Sequence, residues 1–248
     1  NAAKNNLKTL LVDEKNELGG ATIYQNREFN KIENQSSSDW IKKEIQELKN
    51  LKNLEIKTRT SVAAFHGYNY LLARENLTDH LEKKEKQGKI RQRLLKIRAK
   101  KVILATGSLE RPLVFNNNDR PGIMLSSAVK KYADFYGVVS GKKNVFFTNN
   151  DSAYESALCL HNKGIKVEAV IDIRVNSDSK IVKAVKDAGI TIHWSHTIVD
   201  TEGYKRLNSI SAMKLSNDGS SVTGSKIDID CDCLGVAGGW TPAVHLFT

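Results

Sequence analysis

The sequence has little cysteine and lacks any long apolar run. Its three cysteines, Cys159, Cys231 and Cys233, have neither the number nor the spacing of a disulfide framework or a zinc site. We therefore expect a protein of the reducing cytoplasm. No apolar stretch approaches the roughly 20 residues that a membrane-spanning helix needs, and no signal-peptide pattern opens the chain. A membrane partner is not expected.

The sequence also lacks the residue pattern of a nucleic-acid site. Its formal net charge of +10 would ordinarily raise nucleic acid or an anionic membrane as a partner. The positive charge concentrates between Lys83 and Lys101, where basic residues partly alternate with apolar ones, as on a strand with one wet face. Because no aromatic residue stands among these charges to stack on bases, a solvated or subunit-facing hairpin is predicted and nucleic-acid binding is not.

Two pairs of possible metal ligands point to no metal site. His193 and His196 could share a metal on a helix, but residues 190–194 have the pattern of a strand, which would point the two side chains apart. Cys231 and Cys233 would lie on one face of a strand, closer in sequence than redox or zinc motifs require. We expect these thiols to be core residues.

An apolar run at residues 102–105 ends at Thr106 and Gly107. Four small or branched apolar residues in a row predict a strand buried on both faces of a parallel sheet. A glycine after such a strand lets the backbone approach a ligand closely. Thr106 and Gly107 are therefore predicted to line a crevice at the carboxyl end of a central strand, where open α/β sheets bind ligands. An ordinary strand end with a glycine turn is the alternative.

A second apolar run, residues 10–12, ends in Asp13 and Glu14 and is followed by Gly19 and Gly20. In a βαβ dinucleotide fold, an acid at the end of the second strand accepts hydrogen bonds from the ribose hydroxyls of adenosine. Side chains alternate in direction along a strand, so only one of the two acids is expected to face the ribose. The sequence does not decide which.

Periodicity outlines the rest of the chain. It predicts a helix over 40–50 capped by Ser38 or Asp39, strands at 54–57 and 60–65, and a meander continuing through 68–77 and 91–98. It also predicts a helix near Ser126 and a complete second βαβ unit with strand 145–148, helix 151–163 and strand 167–172. A late strand is predicted over 229–236. The turn of the second unit, Thr148 to Tyr154, contains no glycine. Close approach of a pyrophosphate, and hence a cycling nicotinamide dinucleotide, is not expected there.

Three segments, residues 104–125, 147–154 and 238–246, carry a family resemblance. Over nearly its whole length the chain resembles the alpha subunit of heterotetrameric sarcosine oxidase. The resemblance implies an α/β fold of the two-dinucleotide-binding-domain flavoprotein type, glutathione-reductase-like, with a β-meander and with the first βα unit missing from this chain. Residues 1–115 plus 232–248 would form the incomplete first domain, and residues 116–231 an inserted, degenerate second one.

The resemblance also implies a function. Such a complex oxidatively demethylates sarcosine to glycine with tetrahydrofolate and O2, giving methylenetetrahydrofolate and hydrogen peroxide. FAD and FMN would belong to the holoenzyme with its beta, gamma and delta subunits, while the alpha subunit holds NAD without hydride transfer. No catalytic residue is expected in this chain. The cofactor contacts implied by the resemblance are Asp13, Glu14, Lys15, Ala21, Val62, Thr241, Leu246 and Thr248. The strand-end pattern adds Thr106 and Gly107 to the predicted cofactor contacts.

Two other functions fit the same residues. The chain could belong to a related amino-acid or opine dehydrogenase that holds FAD in the same pocket, in which case the bound cofactor absorbs visible light. It could also be a structural subunit whose nucleotide site is vestigial.

The first prediction concerns the pyrophosphate cradle. A dinucleotide site needs amides of a glycine-rich turn to compensate the pyrophosphate charges, and no such turn is found in this sequence. We expect the 248-residue chain alone to bind neither NAD nor FAD appreciably, whereas the full-length subunit binds. Calorimetric titration of both proteins tests this. Micromolar binding of NAD to the isolated chain would contradict it and would assign the phosphates to basic residues such as Lys15.

Overall fold

The computed structural model describes residues 1–24 and 31–247, and its contacts divide the chain into two units. Unit 1 comprises Asn1–Gly107 and Ala243–Thr248, and unit 2 comprises Ser108–Pro242. These boundaries differ from the predicted ones, after residues 115 and 231, because residues 233–237 and 240–242 pair with strands of unit 2. That each unit binds, or once bound, a dinucleotide stays a prediction. No helix of the described residues is long and apolar enough to cross a membrane.

Unit 1 combines a short parallel sheet with an antiparallel meander. Its strands and helices are β1 (Thr9–Val12), β2 (Lys31–Ile32), β3 (Gln35–Ser36), α1 (Ser37–Lys49), β4 (Leu54–Lys57), β5 (Thr60–His66), β6 (Tyr70–Asn76), α2 (Lys83–Lys86) and β7 (Gln92–Arg98). β1 pairs in parallel with β4, β2 forms a hairpin with β3, and the predicted meander is the antiparallel sheet β5-β6-β7.

Helix α1 begins earlier than its sequence pattern predicts. The cap is Ser36, whose hydroxyl oxygen accepts the Asp39 amide at 3.2 Å, so neither Ser38 nor Asp39 has that role. The same hydroxyl donates to the Asp39 carboxylate at 2.6 Å. Ser38 and Asp39 both lie within the helix, which begins at Ser37. The serine run offers several caps of similar chemistry, so packing decides between them.

Residues 102–107 do not form the predicted central strand. Ile103 is 82% exposed, whereas Val102 and Leu104 on either side are half-buried. This alternation is typical of an extended segment covered on one face only. Among the described residues no strand supplies backbone hydrogen bonds to it, and an apolar run becomes a strand only when a neighbour satisfies its amides and carbonyls. The prediction of a strand buried on both faces is therefore wrong for this structure.

Unit 2 contains a parallel sheet with helices, an antiparallel sheet and a two-stranded ribbon. Its elements are β8 (Ser108–Glu110), β9 (Ile123–Leu125), α3 (Ser126–Asp134), β10 (Lys143–Thr148), α4 (Ser152–Asn162), β11 (Lys166–Asp172), α5 (Lys180–Asp187), β12 (Thr191–Trp194), β13 (His196–Glu202), β14 (Ser209–Leu215), β15 (Val222–Asp230), β16 (Cys233–Ala237) and β17 (Trp240–Pro242). The predicted second βαβ unit is confirmed as β10, α4 and β11.

The parallel sheet has the order β12-β11-β10-β16-β9, so β10 and β16 lie inside it with strands on both sides. This position explains why Val145, Phe146 and Phe147 of β10 are all at most 2% exposed. The single strand predicted over 229–236 is wrong. The chain leaves the antiparallel sheet β13-β14-β15 after β15 and enters the parallel sheet at β16. At the break, the Asp232 carboxylate accepts the Lys143 amide at 2.8 Å.

The cysteines lie in the core of unit 2, as predicted. Cys231 and Cys233 are each 1% exposed. Burial, as the main cause, raises the pKa of each of these two thiols to about 12. Burial likewise raises the pKa of the Cys159 thiol. Because the thiolate is the reactive form, all three groups are inert at neutral pH.

The asparagine-rich part of the 104–125 segment has a structural role. The side chains of Asn116 and Asn117 donate to the Asp200 carboxylate at 3.0 and 2.9 Å. The Arg120 guanidinium donates to the Thr201 hydroxyl at 3.2 Å and to backbone carbonyls at the end of the same strand. The Thr201 amide and these asparagines hold the pKa of Asp200 below its usual range. The loop is thereby fastened to β13.

The second prediction concerns the packing of β16. An added Cβ at Gly235 would stand 2.6 Å from ring atoms of the fully buried Phe146. We expect Gly235→Ala to lower the free energy of unfolding by roughly 1 to 3 kcal/mol through overpacking. Gly67→Ala is the control, because a Cβ at Gly67 would meet nothing within 4 Å. Urea denaturation measures both variants. Equal stability of the two would show that β16 does not pack against Phe146.

Candidate functional site

The carboxyl ends of β1 and β4 lie at one edge of unit 1. The strands are parallel, with Val12 opposite Lys57, and the Asp13 amide donates to the Lys57 carbonyl at 2.9 Å. The Asp13 carbonyl accepts the Thr60 amide, also at 2.9 Å. Since Thr60 opens β5, the acidic end of β1 lies at the beginning of the strand that carries Val62. The structure thus places the strand-end acids, which are predicted to face the ribose, next to the strand that carries Val62, a cofactor contact implied by the resemblance.

The two acids differ in their surroundings. Asp13 is half-buried, and its carboxylate accepts the Lys15 amide at 2.9 Å, which closes the turn after β1. Glu14 is exposed, and its carboxylate has no hydrogen-bond or ionic partner among the described residues. The side chain of Lys15 is exposed as well. Asp13 therefore shapes the turn, and Glu14 is the carboxylate that is fully available to ligand hydroxyls.

The two glycines after this turn are favoured for different reasons, Gly19 by packing and by its φ and Gly20 by its φ alone. Gly19 has φ +112, and a Cβ there would lie 2.8 Å from the Ile23 side chain and 3.1 Å from Ile41 of α1. Gly20, with φ +55, begins a short 3-10 helix, Gly20–Tyr24. Ala21 is exposed in that helix. Close contact with α1 is thus one physical reason for the first glycine of the pair.

Thr106 and Gly107 bond to the last segment of unit 1. The Thr106 hydroxyl donates to the Ala243 carbonyl, and the Ala243 amide donates to the Gly107 carbonyl at 2.9 Å. Gly107 has φ +73, a conformation that favours glycine. The turn follows no strand, so the predicted position at the end of a central strand is wrong. Leu246, half-buried, lies three residues beyond Ala243.

The remaining two predicted contacts lie elsewhere. Thr241 is exposed in β17 of unit 2, where it pairs with Leu109 of β8. Thr248 lies outside the described residues. Their role in cofactor binding stays a prediction from the resemblance.

In unit 2, side chains occupy the turn where a dinucleotide fold would bind phosphate. The Asn150 side-chain oxygen accepts the Ser152 amide at 3.0 Å and the Ser152 hydroxyl at 2.6 Å, at the beginning of α4. The Thr148 hydroxyl donates to the Asn150 carbonyl at 2.8 Å and accepts the Asn150 amide at 3.0 Å. These hydrogen bonds occupy the amides of Asn150 and Ser152, which a bound phosphate would need. The turn also lacks the glycine that would let a phosphate approach the backbone.

The acid at the end of β11 is sequestered, a feature that the sequence pattern did not predict. Asp172 is fully buried and accepts the Tyr154 hydroxyl at 2.8 Å and Arg174 Nη2 at 2.7 Å. Arg174 also pairs with Asp151 at 2.8 Å. Burial, then the Asp172 carboxylate, raises the pKa of the Tyr154 hydroxyl. The hydrogen bond to Asp172 raises the pKa of Arg174. The arginine two residues after the acid is the feature of the sequence that could have indicated this pairing.

The histidine pair does not behave as predicted. His193 and His196 have ring centroids 5.5 Å apart, so they do not point away from each other. Ser195 between them has φ +54, which turns the chain from β12 into β13 and cancels the strand alternation. Burial, then the charge of His196, lowers the pKa of His193. The described residues contain no group of three or more metal-ligating side chains.

The parallel sheet with helices and the meander define an α/β fold of the dinucleotide-binding type. The solved structures with this fold include L-proline dehydrogenase from P. horikoshii, at TM-score 0.66 and 20% identity, covering 98% of this chain and 40% of that one. The thioredoxin reductase of T. acidophilum matches with TM-score 0.66 and 15% identity, covering 99% of this chain and 73% of that one. The predicted fold class is confirmed.

Among curated proteins, the relatives are alpha subunits of sarcosine oxidase. The subunit from Corynebacterium sp. (strain P-1) is 37% identical over 247 residues, which is 99% of this chain and 25% of that subunit. The subunit from Rhizobium meliloti (strain 1021) is 31% identical, over 99% of this chain and 23% of that subunit. No family model matches the chain. The resemblance is confirmed, and the chain spans about a quarter of the length of the subunits to which it is similar.

The third prediction concerns the sequestered acid. Asp172→Ala leaves the Arg174 guanidinium and the Tyr154 hydroxyl without their buried acceptor. Removing one partner of a buried ion pair costs roughly 3 to 5 kcal/mol, and we expect a loss of unfolding free energy of that order. Asp151→Ala is the control, because its side chain is 38% exposed and its pairing with Arg174 is screened by solvent, contributing about 0 to 1 kcal/mol.

Chemical denaturation of both variants makes the comparison. If Asp172→Ala lost no more stability than Asp151→Ala, the network would be a solvated surface cluster and the acid at the end of β11 would be free for a ligand.

Proposed function

We propose that this chain is the nucleotide-binding part of the alpha subunit of a sarcosine oxidase. That enzyme would oxidatively demethylate sarcosine to glycine with tetrahydrofolate and O2, forming methylenetetrahydrofolate and hydrogen peroxide. The proposal is carried by the similarity of 99% of the chain to sarcosine oxidase alpha subunits at 31–37% identity. Since the chain spans only a quarter of those subunits, the activity belongs to the whole protein and its partners.

Unit 1 would hold NAD through its adenosine half. The exposed Glu14 carboxylate, beside the Asp13 turn, fits the ribose hydroxyls, and the beginning of β5 lies next to it, where Val62 would meet the adenine. Bound NAD would supply a nicotinamide ring capable of accepting hydride, but we propose no hydride transfer in this chain. Supporting this, the turn before α4 and the acid at the end of β11 in unit 2 both form hydrogen bonds with side chains.

The holoenzyme would include FAD, FMN and the beta, gamma and delta subunits, with catalysis outside this chain. A cytoplasmic location is part of the proposal and is supported by the three free, buried cysteines.

FAD in the same pocket is the second candidate. It contains the same adenosine unit, so Glu14 and β5 would serve it equally. One of the solved structures with this fold is a FAD-dependent pyridine nucleotide-disulphide oxidoreductase from Desulfovibrio vulgaris, at 14% identity and TM-score 0.57. Denaturing the full-length protein and identifying the released nucleotide by mass distinguishes NAD from FAD. Visible absorbance of the protein before denaturation is a second criterion, since FAD absorbs visible light and NAD does not. Release of neither nucleotide would favour a vestigial site.

The fourth prediction concerns the acids at the end of β1. A charge-assisted hydrogen bond contributes roughly 1.5 to 3 kcal/mol, so Glu14→Gln in the full-length subunit should weaken NAD binding about 10- to 150-fold. Asp13→Asn should weaken it less if Asp13 mainly shapes the turn. Glu17→Gln, another exposed acid of the same loop, is the matched control and should bind normally. Calorimetry measures all three. Unchanged binding in both the Glu14 and the Asp13 variants would refute the assignment.

A further inference from the structure

Arg59 has an unusual backbone conformation at the candidate site. Its φ is +50, in the left-handed region that favours glycine. Its amide donates to the Lys15 carbonyl at 2.7 Å, and its own carbonyl accepts the Asn76 amide at 2.9 Å. Arg59 therefore joins the acidic turn after β1 to the end of β6. The next residue, Thr60, bonds to Asp13, so two consecutive amides hold that turn against the beginning of β5.

The guanidinium of Arg59 has no bond of its own. Within residues 1–24 and 31–247, no hydrogen bond, ion pair or ring contact reaches it, although the residue is half-buried. Two other arginines of unit 1 are paired, Arg91 with Asp79 at 2.6 Å and Arg93 with Glu75 at 3.5 Å. Arg59 remains unpaired even though its backbone lies one hydrogen bond from the turn that carries Glu14.

Strain and the free cation together indicate a ligand. Glycine would adopt this conformation at lower energy, and strained residues in folded proteins concentrate at ligand-binding positions, where the side chain has a use. A planar guanidinium recognises aromatic rings by stacking and phosphates by paired hydrogen bonds. The carboxylates of Asp13 and Glu14 on the neighbouring turn repel an additional phosphate here. An uncharged aromatic base is the chemistry that remains.

We propose that the Arg59 guanidinium stacks on the adenine base of the nucleotide bound by unit 1. The proposal rests on the proposed function, because it takes the acidic turn as the ribose site. Base and ribose are covalently joined, so a group beside the ribose acceptors is within reach of the base. Arg59 is then a binding residue for the adenosine half, and its left-handed backbone positions both its own side chain and the acidic turn.

The fifth prediction tests the side chain of Arg59 apart from its backbone. Arg59→Gly in the full-length protein keeps the left-handed conformation and removes the guanidinium. We expect it to weaken AMP and NAD by the same factor, about 3- to 30-fold, the range of a partly desolvated cation–π contact. Arg59→Lys keeps the charge without the planar group, and its affinity for AMP and NAD should lie between those of the unchanged protein and of Arg59→Gly. The thermal midpoint of Arg59→Gly should equal or exceed that of the unchanged protein, because glycine relieves the strain.

Tyr68→Gly is the matched control. Tyr68 has φ +60 and is 91% exposed in the turn between β5 and β6, so this variant makes the same backbone change away from the acidic turn. Its affinity for AMP and NAD should be unchanged.

Calorimetry with AMP and NAD decides the result. Normal affinity of Arg59→Gly for both, alongside weakened binding by Glu14→Gln, overturns the role of Arg59 and leaves the proposed function standing. Weakened NAD with unchanged AMP also overturns it, because the contact would then lie outside the adenosine half. If the unchanged full-length protein bound neither nucleotide, the proposed function itself would fail and the role of Arg59 with it.

Discussion

The candidate site depends on one short backbone interaction, the hydrogen bond from the Thr60 amide to the Asp13 carbonyl. Within the described residues β1 and β4 form a two-stranded sheet, and so small a sheet does not by itself fix the loop after each strand. The bond from Thr60, with that from Arg59 to Lys15, ties the turn after β1 to the beginning of β5. Because backbone hydrogen bonds hold the turn, the Glu14 carboxylate is not needed to stabilise it.

The acids at corresponding strand ends of the two units have opposite surroundings. Glu14 is exposed and unpaired in the described part of the chain, whereas Asp172 is fully buried with Tyr154 and Arg174 as partners. A buried carboxylate is tolerated only when its charge is compensated by partners. Because those partners occupy its oxygens, the carboxylate is not available to bind ribose hydroxyls. The two units thus share a strand-end acid but differ in what it can bind, and this difference follows from one arginine two residues downstream.

Local sequence patterns predicted most helices and strands correctly. They failed where tertiary contacts determine the conformation. The meander, α1 and the β10-α4-β11 unit follow from periodicity because each repeats its pattern over a turn or more. The strand predicted over 102–105 fails because its pairing depends on a neighbour that the run itself does not specify. The orientation of His193 and His196 fails because a single left-handed residue, Ser195, reverses the alternation. Arg59 was missed for the same reason, since no residue pattern predicts a left-handed arginine.

Two of the three segments that revealed the relationship have residues with a role in the architecture, although Thr106 and Gly107 in the first segment and Thr241 and Leu246 in the third are also predicted cofactor contacts. In the first of them, Asn116, Asn117 and Arg120 fasten a loop to β13. In the second, the Asn150 side chain accepts the Ser152 amide at the beginning of α4. Both roles are structural, so the similarity to sarcosine oxidase alpha subunits through these segments supports a shared architecture. The case for a nucleotide rests instead on the short turn after β1. A chain could keep every structural bond of those segments and lose that turn without losing its resemblance, which is why the ligand has to be identified on the full-length protein directly.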